Sequence, residues 1–452
     1  MEKAKKAKYK FTKEELNELL FDYNKEKGAL PSDRPRKVSI WDETLRDGEQ
    51  TPGVFLTLDE KIKIATFLDE IGTEKIAAGF PAISPGELEI VKEISNIGLS
   101  NSTILGIARP KISDIDACLK CDLDEIVLFM PISDLHLKIM NFSRQQQIEM
   151  IQKAFDYAKD HGLKFNWVSE DGTRAQPEHL LYIQQLAIDN NASSIILGDT
   201  VGILQPETTI YMIEKMKKEL KRWDRTKTQL GIHTHNDFGQ AVSNTLVAVY
   251  HSATLPHVCV NGYGERAGNA SFEEVVTNLE GMGISTGINL RKLTEMSHIV
   301  EEIFGLPLSA HKPIVGSNAF SHESGLHIHA IISHPIAYEP INPSLVGQKR
   351  KFYLGKFSGS SSIINAIETK LKGTNLDIPR DIIKKILQDV KNLQEKSSKK
   401  DKKKSFKKIK ELVRCIQSGI NDDEFFALVQ KYAKKYLKNS WVYEDKKEKL
   451  IK

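Results

Sequence analysis

Between residues 38 and 261, short apolar runs alternate regularly with helical patterns, and this alternation constrains the fold more than any other feature. The runs have the length and composition of buried parallel strands, and apolar residues between them repeat at helical spacing. The eight runs lie at residues 38–40, 75–78, 103–107, 125–129, 164–169, 194–197, 229–233 and 257–261. Eight such units predict an α/β fold, a (β/α)8 TIM barrel, with a doubly wound open sheet as the alternative.

Past about residue 290 helical patterns dominate, so the chain is predicted to contain more than the barrel. Thr12 and Glu15 can form a capping box at the start of an amphipathic helix. Towards the other end, a Lys/Ser-rich stretch that is poor in apolar residues is typical of a solvated linker. The predicted regions are an N-terminal helical extension at 1–36, the barrel at 37–290, a mainly helical C-terminal domain at 291–452 and a Lys-rich linker near 396–408.

With 40% hydrophobic and 27% charged residues, the composition is that of a soluble globular protein. No apolar run approaches the roughly 20 residues of a membrane-spanning helix, and no secretory signal is evident. The net charge of +4 comes largely from the tails and lacks accompanying aromatic residues, so neither a membrane nor a nucleic acid is predicted as a partner. Cys118 and Cys121 form a CxxC without a second pair. We interpret them as ordinary thiols and Cys259 and Cys415 as core residues, a pattern that favours the reducing cytoplasm.

Several polar side chains follow the predicted strands at the end where barrel enzymes build their active sites. His233 and His235 lie two residues apart at the end of the seventh strand, so both imidazoles point to the same face. Asp47 follows the first strand, which neighbours the eighth in a closed barrel, and Asn269 follows the eighth and can offer an amide oxygen. These ligands suit Mg²⁺, Mn²⁺, Co²⁺ or Zn²⁺, and the sequence therefore predicts a divalent metal site.

Four motifs together resemble the isopropylmalate/homocitrate synthase family, the acetyl-CoA-dependent branch of the metal-using aldol and Claisen barrels. The resemblance covers residues 37–365 and implies that acetyl-CoA is a co-substrate. It also implies that Asp47, His233 and His235 bind the metal and that Asn269 lies beside it, often as a further ligand. The motifs are DETLRDGEQ at 42–50, HTHND at 233–237, GERAGN at 264–269 and SGLH at 324–327.

A 2-oxo acid can chelate such a metal through its keto oxygen and one carboxylate oxygen, which polarises the carbonyl group. Arg46 is placed to stabilise the alkoxide that develops on attack, although an ion pair with Glu43 or Glu49 is an alternative role. Thr200 can donate a hydrogen bond to the substrate carboxylate. Glu170 resembles the family's substrate-contacting glutamate.

The attacking carbon is the methyl group of acetyl-CoA, and its deprotonation requires a base with a pKa near neutrality, for which histidine is suited. His327 matches the family's catalytic histidine, and Tyr338 matches the tyrosine that works with it. Both residues lie outside the predicted barrel. In relatives they come from the other protomer, so the resemblance implies a homodimer with exchanged C-terminal domains.

Differences from the family pattern bear on the 2-oxo acid. Homocitrate synthases usually have glutamate at the position of Asp47 and often an acidic residue at the position of Gly231, so these two residues disfavour homocitrate synthesis. The region after residue 359 does not resemble the leucine-sensing domain of isopropylmalate synthases. Ala77 replaces a family glutamate, and Arg109 and His136 on neighbouring loops would suit a second carboxylate. These features favour oxaloacetate, as in Re-type citrate synthases. The alternative substrates are 2-oxoisovalerate without leucine regulation, pyruvate and 2-oxoglutarate. The alternative classes of protein are a lyase of the same barrel group and a catalytically silent scaffold.

Overall fold

A computed structural model describes residues 11–123, 125–370, 378–396, 399–416 and 422–433. Its centre is a closed barrel in which each of eight strands pairs in parallel with the next and the eighth pairs with the first. The strands are β1 Trp41–Asp42, β2 Lys75–Gly79, β3 Thr103–Ala108, β4 Glu125–Pro131, β5 Lys164–Glu170, β6 Ser194–Asp199, β7 Gln229–Thr234 and β8 Leu255–Val258. The predicted (β/α)8 barrel is confirmed, and the open sheet is wrong.

Helices cover the barrel and build the region that follows it. Those that precede or surround the barrel are α1 Lys13–Leu19, α2 Leu58–Glu70, α3 Pro85–Asn96, α4 Ile112–Leu119, α5 Asp134–Ile139, α6 Arg144–Asp160, α7 Pro177–Asp189, α8 Pro206–Glu219, α9 Ala241–Tyr250, α10 Phe272–Gly281 and α11 Leu293–Phe304. A short parallel pair, β9 Ser321–His322 and β10 Lys351–Phe352, accompanies the helices α12 Gly325–Ser333, α13 Ser360–Lys370, α14 Arg380–Lys396, α15 Lys399–Ile416 and α16 Asp422–Ala433. No described helix is long and apolar enough to cross a membrane.

Strand periodicity separates two buried layers. Residues that point outward from the strands pack under the helices as the main core. Residues that point inward form a smaller apolar cluster, which includes Trp41, Leu105, Val127 and Ile196 and fills the middle of the barrel. The amino-terminal end of the barrel is closed by polar contacts such as the ion pair between Lys75 and Glu125. The carboxyl-terminal end is therefore the end that opens to solvent.

The ends of the chain bear on two predictions. Thr12 and Glu15 form the expected capping box of α1. Helix α15 begins at Lys399, so the Lys-rich stretch is helical from that residue on, and its role as a linker stays a prediction. Lysine favours helices, and the exposed Phe406 and Ile409 recur at helical spacing. The domain boundaries themselves stay predictions.

The cysteines follow the predicted pattern where the structure describes them. Cys118, Cys121 and Cys259 are buried free thiols. Burial raises the pKa of the Cys118 thiol, so the CxxC has no reactive thiolate at its first position. The side chain of Cys415 lies outside the part of the chain whose side chains are described.

Candidate active site

A cavity of about 250 Å³ opens at the carboxyl-terminal end of the barrel. One side of it is polar. It carries residues that lie at the end of β1, β6 and β7 or directly after these strands: Arg46, Asp47, Thr200, His233 and His235. The opposite side is mostly apolar, with Glu170 at the end of β5 as its charged residue. Its wall consists of Phe80, Ile107, Val127, Phe129 and Val168, contributed by β2 to β5 or the loops after them.

Asp47, His233 and His235 converge at the polar side of the cavity. The Nε2 atoms of the two histidines lie 3.3 Å apart. They are 3.6 Å and 3.9 Å from Oδ2 of Asp47, and all three side chains are buried. Ligand atoms that each lie about 2.1 Å from one ion are separated by about this much, so the three atoms can share a divalent metal.

The ionisation of these residues fits a metal site. Burial lowers the pKa of His233 to about 3 and also lowers the pKa of His235. Burial would raise the pKa of Asp47, but Arg46 and the two histidines hold it below its ordinary value. Near neutral pH the histidines are neutral and the aspartate is charged, which are the forms that bind metal. His235 Nδ1, although buried, has no hydrogen-bond partner among the described residues.

Asn269 lies beside this cluster and hydrogen-bonds to Asp47. Its Nδ2 donates to Asp47 Oδ2 at 2.7 Å and to the carbonyl oxygen of Tyr263 at 3.1 Å. The amide therefore holds the aspartate in place, as is usual for groups around a metal ligand. Its Oδ1 is buried and without a partner in the described part of the chain, and its use as a fourth ligand stays a prediction.

Arg46 is held at the edge of the cavity by two carboxylates. Its Nε donates to Glu43 at 2.7 Å, and its Nη1 lies 3.5 Å from Asp47. Burial opposes the charged form, but both carboxylates raise the pKa of Arg46, so the guanidinium is a permanent cation. The predicted pair with Glu43 is present, whereas Glu49 pairs with Lys61 instead.

The sequence did not indicate His257, which lies inside the barrel next to this cluster. Its ring stacks on Trp41 with centroids 4.3 Å apart, and its Nδ1 lies 3.3 Å from Glu43. Glu43, His233 and His257 form a second group of possible ligands, but Glu43 is already bonded to Arg46. The alternation of side chains along the strands could have indicated His257, because it pairs with Trp41 on the neighbouring strand and both side chains point inward.

The buried His257 predicts a specific pH dependence of stability. Burial lowers its pKa, so below about pH 6.5 the unfolded chain binds a proton that the folded protein does not. Relative to a His257→Asn variant, the metal-free wild type should lose about 1.4 kcal/mol of unfolding free energy per pH unit as the pH falls below that point. Urea unfolding of both proteins at several pH values checks this. A constant difference would contradict a neutral buried His257.

Glu170 and Thr200 reach the cavity as predicted. Burial raises the pKa of Glu170, although His136 and Arg46 oppose the rise. Thr200 Oγ1 accepts a hydrogen bond from the backbone N–H of Asp171 at 2.8 Å, which leaves its own hydroxyl proton available to a ligand. Both side chains are thus positioned to contact a bound substrate.

Arg109 and His136 lie on the predicted side of the barrel, after β3 and β4, but each contacts a carboxylate of the protein. Nε of Arg109 donates to Asp114 at 2.6 Å, and the guanidinium lies over the Phe80 ring. His136 Nδ1 lies 2.9 Å from Asp171 Oδ2. Neither residue lines the cavity. The prediction that they bind a second substrate carboxylate is therefore not supported, because each already faces a carboxylate of the protein.

His327 and Tyr338 form a separate group after the barrel. Their rings stack with centroids 4.0 Å apart. Glu339 is buried beside them, with one oxygen 3.5 Å from His322 Nε2 and a bidentate pair to Arg350. His327 and Tyr338 therefore contact each other, but neither of them lines the cavity of the same chain.

Comparison with known proteins identifies the family. The HMGL-like family model matches residues 37–300, and the homocitrate synthase post-HMGL domain-like model matches residues 314–398. The chain belongs to the HMGL-like family. The resemblance to the isopropylmalate/homocitrate synthases is confirmed, and the chain is a condensing acyltransferase of that group.

Three relatives of this family member illustrate the similarity. The 2-isopropylmalate synthase of Methanocaldococcus jannaschii is 44% identical over 352 residues, which are 77% of this chain and 66% of the relative. The chain thus spans slightly less than two thirds of that protein. The probable 2-isopropylmalate synthase of Ignicoccus hospitalis is 42% identical over 79% of this chain and 88% of the relative. The homocitrate synthase AksA of Methanothermobacter thermautotrophicus is 40% identical, with 80% and 90% covered.

Solved structures of HMGL-like proteins share the fold. Hydroxymethylglutaryl-CoA lyase from Pseudomonas aeruginosa has a TM-score of 0.55 at 21% identity and covers 63% of this chain and 97% of its own. The HMG-CoA lyase from Brucella melitensis has a TM-score of 0.52 at 22% identity, with 59% and 98% covered. At 21% and 22% identity, the similarity to these structures shows a shared fold and nothing about function.

Proposed function

We propose that this protein condenses acetyl-CoA with a 2-oxo acid that carries a short apolar side chain. The best candidate is 2-oxoisovalerate, which would give 2-isopropylmalate and CoA. The observation that carries this proposal is the two-sided cavity. Asp47, His233, His235 and Arg46 stand on one side, and an apolar wall faces them.

The apolar wall supports a branched alkyl group better than a carboxylate. Burying the three carbons of an isopropyl group is worth about 2 kcal/mol at about 0.8 kcal/mol per carbon. A second carboxylate against Ile107, Val127 and Val168 would lose its hydration without gaining a partner. The expectation of oxaloacetate relied in part on Arg109 and His136 as partners of a second carboxylate, and these residues face Asp114 and Asp171 instead. Pyruvate would leave part of the wall unfilled and is the second candidate.

The residues of the polar side divide the chemistry among them. Asp47, His233 and His235 would hold a divalent ion, which supplies Lewis-acid polarisation of the keto group when bound. Arg46 stabilises the negative charge that develops on the keto oxygen, because its cation is fixed at the cavity edge by Glu43. Thr200 donates a hydrogen bond from its hydroxyl group to the substrate carboxylate.

His327 removes the proton from the acetyl methyl group in this proposal, with Tyr338 stacked against it. Because neither residue lines the cavity of its own chain, we infer that His327 acts on the cavity of a second copy. Exposed apolar side chains in the segments that follow β1, β2, β4 and β7, at the carboxyl-terminal end of the barrel, support such docking: Phe55, Ile83, Leu135, Ile139 and Phe238. Leu326 and Phe357, on or near α12, are exposed as well.

The direct test of the proposal is thiol release from acetyl-CoA by the metal-loaded protein. Release should require the metal and 2-oxoisovalerate together, and a chelator should stop it. Release from acetyl-CoA alone, or cleavage of 2-isopropylmalate in preference to its formation, would favour a lyase. Metal binding without any turnover would favour a silent scaffold.

An alteration of the wall should change the preference among 2-oxo acids. Ile107→Ala removes apolar surface from the cavity and leaves room for a larger alkyl group. The ratio of kcat/KM for 2-oxoisovalerate to kcat/KM for a 2-oxo acid with one more methylene should therefore fall by about tenfold or more. Ile104→Ala on the same strand is the matched control, because that side chain belongs to the outer core. Equal effects of the two substitutions on the ratio would contradict the assignment of the wall.

A further inference from the structure

Lys61 is a fully buried lysine on α2 with no role in the chemistry described above. Its Nζ lies 2.7 Å from Glu49 Oε2 and donates to both oxygens of Glu87 at 2.9 Å and 3.1 Å. It also donates to the carbonyl oxygen of Ala78 at 3.4 Å. One ammonium group therefore contacts two carboxylates, Glu49 from the loop after β1 and Glu87 from the first turn of α3, the helix that follows β2.

The first carboxylate belongs to the loop that carries the metal ligand. Glu49 lies two residues after Asp47, in the single turn Gly48–Gln50. Its other oxygen accepts a hydrogen bond from the backbone N–H of Leu56 at 2.9 Å. Glu49 thus closes the segment that follows Asp47, and Gln50 in this segment lines the cavity.

The second carboxylate supports the apolar wall. Glu87 Oε1 accepts a hydrogen bond from the backbone N–H of Phe80 at 3.3 Å, and the Phe80 side chain lines the cavity. Glu87 also lies directly against Gly79, where a Cβ atom would meet Oε1 at 1.9 Å. Only glycine leaves room for this approach of carboxylate to backbone.

We propose that Lys61 is a positioning residue that couples the loop after β1 to the loop after β2, and so fixes the metal-binding segment relative to the substrate wall. The proposal extends the proposed function, since its kinetic consequence concerns the 2-oxo acid. Lys61→Met would leave two carboxylates close together in a mostly buried place without their cation, and their repulsion would loosen both loops.

Hydrogen exchange tests the coupling without any substrate. Lys61→Met should increase exchange in both segments, 48–56 and 79–84, while β4 to β6 remain protected. Glu87→Gln keeps an acceptor for Phe80 and removes one charge, yet it should also increase exchange in the distant segment 48–56. Lys63→Met, at an exposed position of the same helix, should change neither segment.

Kinetics supply the second readout. Lys61→Met should raise the KM for 2-oxoisovalerate by about tenfold or more and lower kcat much less, because the wall moves while Arg46 keeps its own partner Glu43. If Lys61→Met does not fold, Glu87→Gln carries both measurements. Unchanged exchange in segment 48–56 with Glu87→Gln would overturn the coupling, whether or not the protein is active. If exchange increases as expected but the wild-type protein releases no thiol, the proposed function would be contradicted and the coupling by Lys61 would stand.

Discussion

Replacement of Asp47 by asparagine should abolish activity, with kcat/KM for 2-oxoisovalerate lower by at least about a thousandfold. Asparagine preserves the shape of the side chain but removes the charge that faces two neutral histidines at 3.6 Å and 3.9 Å. Mn²⁺ affinity, measured by titration calorimetry on the metal-free protein, should fall by more than about 100-fold.

Asp134→Asn is the control for this substitution. Asp134 is a half-exposed carboxylate on α5 that pairs with Arg144. It should retain wild-type metal affinity and activity. If Asp47→Asn bound Mn²⁺ as tightly as the wild type, the assignment of Asp47 as a ligand would be wrong.

His327→Ala should lose condensation while it retains the metal site. The expected fall in kcat is about a thousandfold, because no other described base is stacked with Tyr338 in that group. Mn²⁺ affinity should equal that of the wild type, since Asp47, His233 and His235 are untouched. Unimpaired thiol release would remove the assignment of His327 as the base.

Mixing the two inactive variants tests which chain supplies His327. In a mixed dimer of Asp47→Asn and His327→Ala, the barrel of the second chain is intact and so is the His327 group of the first. If the groups are exchanged, co-expression should restore about a quarter of wild-type activity, because half of the dimers are mixed and each has one complete site. If His327 acts on its own barrel, no mixed dimer is complete, and activity should stay at the level of the single variants.

The strand-end positions of the site were predictable because barrel closure is a strong geometric rule. An eight-stranded parallel barrel brings the ends of β1, β6, β7 and β8 to one rim, so Asp47, Thr200, His233 and His235 had to meet. The spacing of the two histidines also determined that they share a face. These inferences need only the strand order and the alternation of side chains.

The directions of long side chains were not predictable in the same way. Arg109 and His136 follow strands at the correct rim, but each turns to a carboxylate, Asp114 on α4 and Asp171 after β5. Asp114 is close to Arg109 along the chain, but only the turn between β3 and α4 brings the two together. The pairing of His136 with Asp171 depends on the packing of two separate barrel strands. Lys61 is a further example, since its two carboxylates lie 12 and 26 residues away along the chain.

Helix propensity explains the structure of the Lys-rich stretch. Its charge predicts a solvated linker, and a helix is compatible with that, because lysine is a good helix former and repulsion between exposed charges is weak in water. The side chains described between residues 402 and 411 are all exposed, so solvation and helical structure occur together in α15.

The most direct test of the central claim is a comparison of kcat/KM for 2-oxoisovalerate and for oxaloacetate by the wild-type, metal-loaded protein, measured as thiol release from acetyl-CoA. An apolar wall opposite Asp47 and the two histidines predicts a preference for 2-oxoisovalerate of about 100-fold or more, since a buried carboxylate would have no partner there. A preference for oxaloacetate would contradict the assignment of the wall and would make the product citrate.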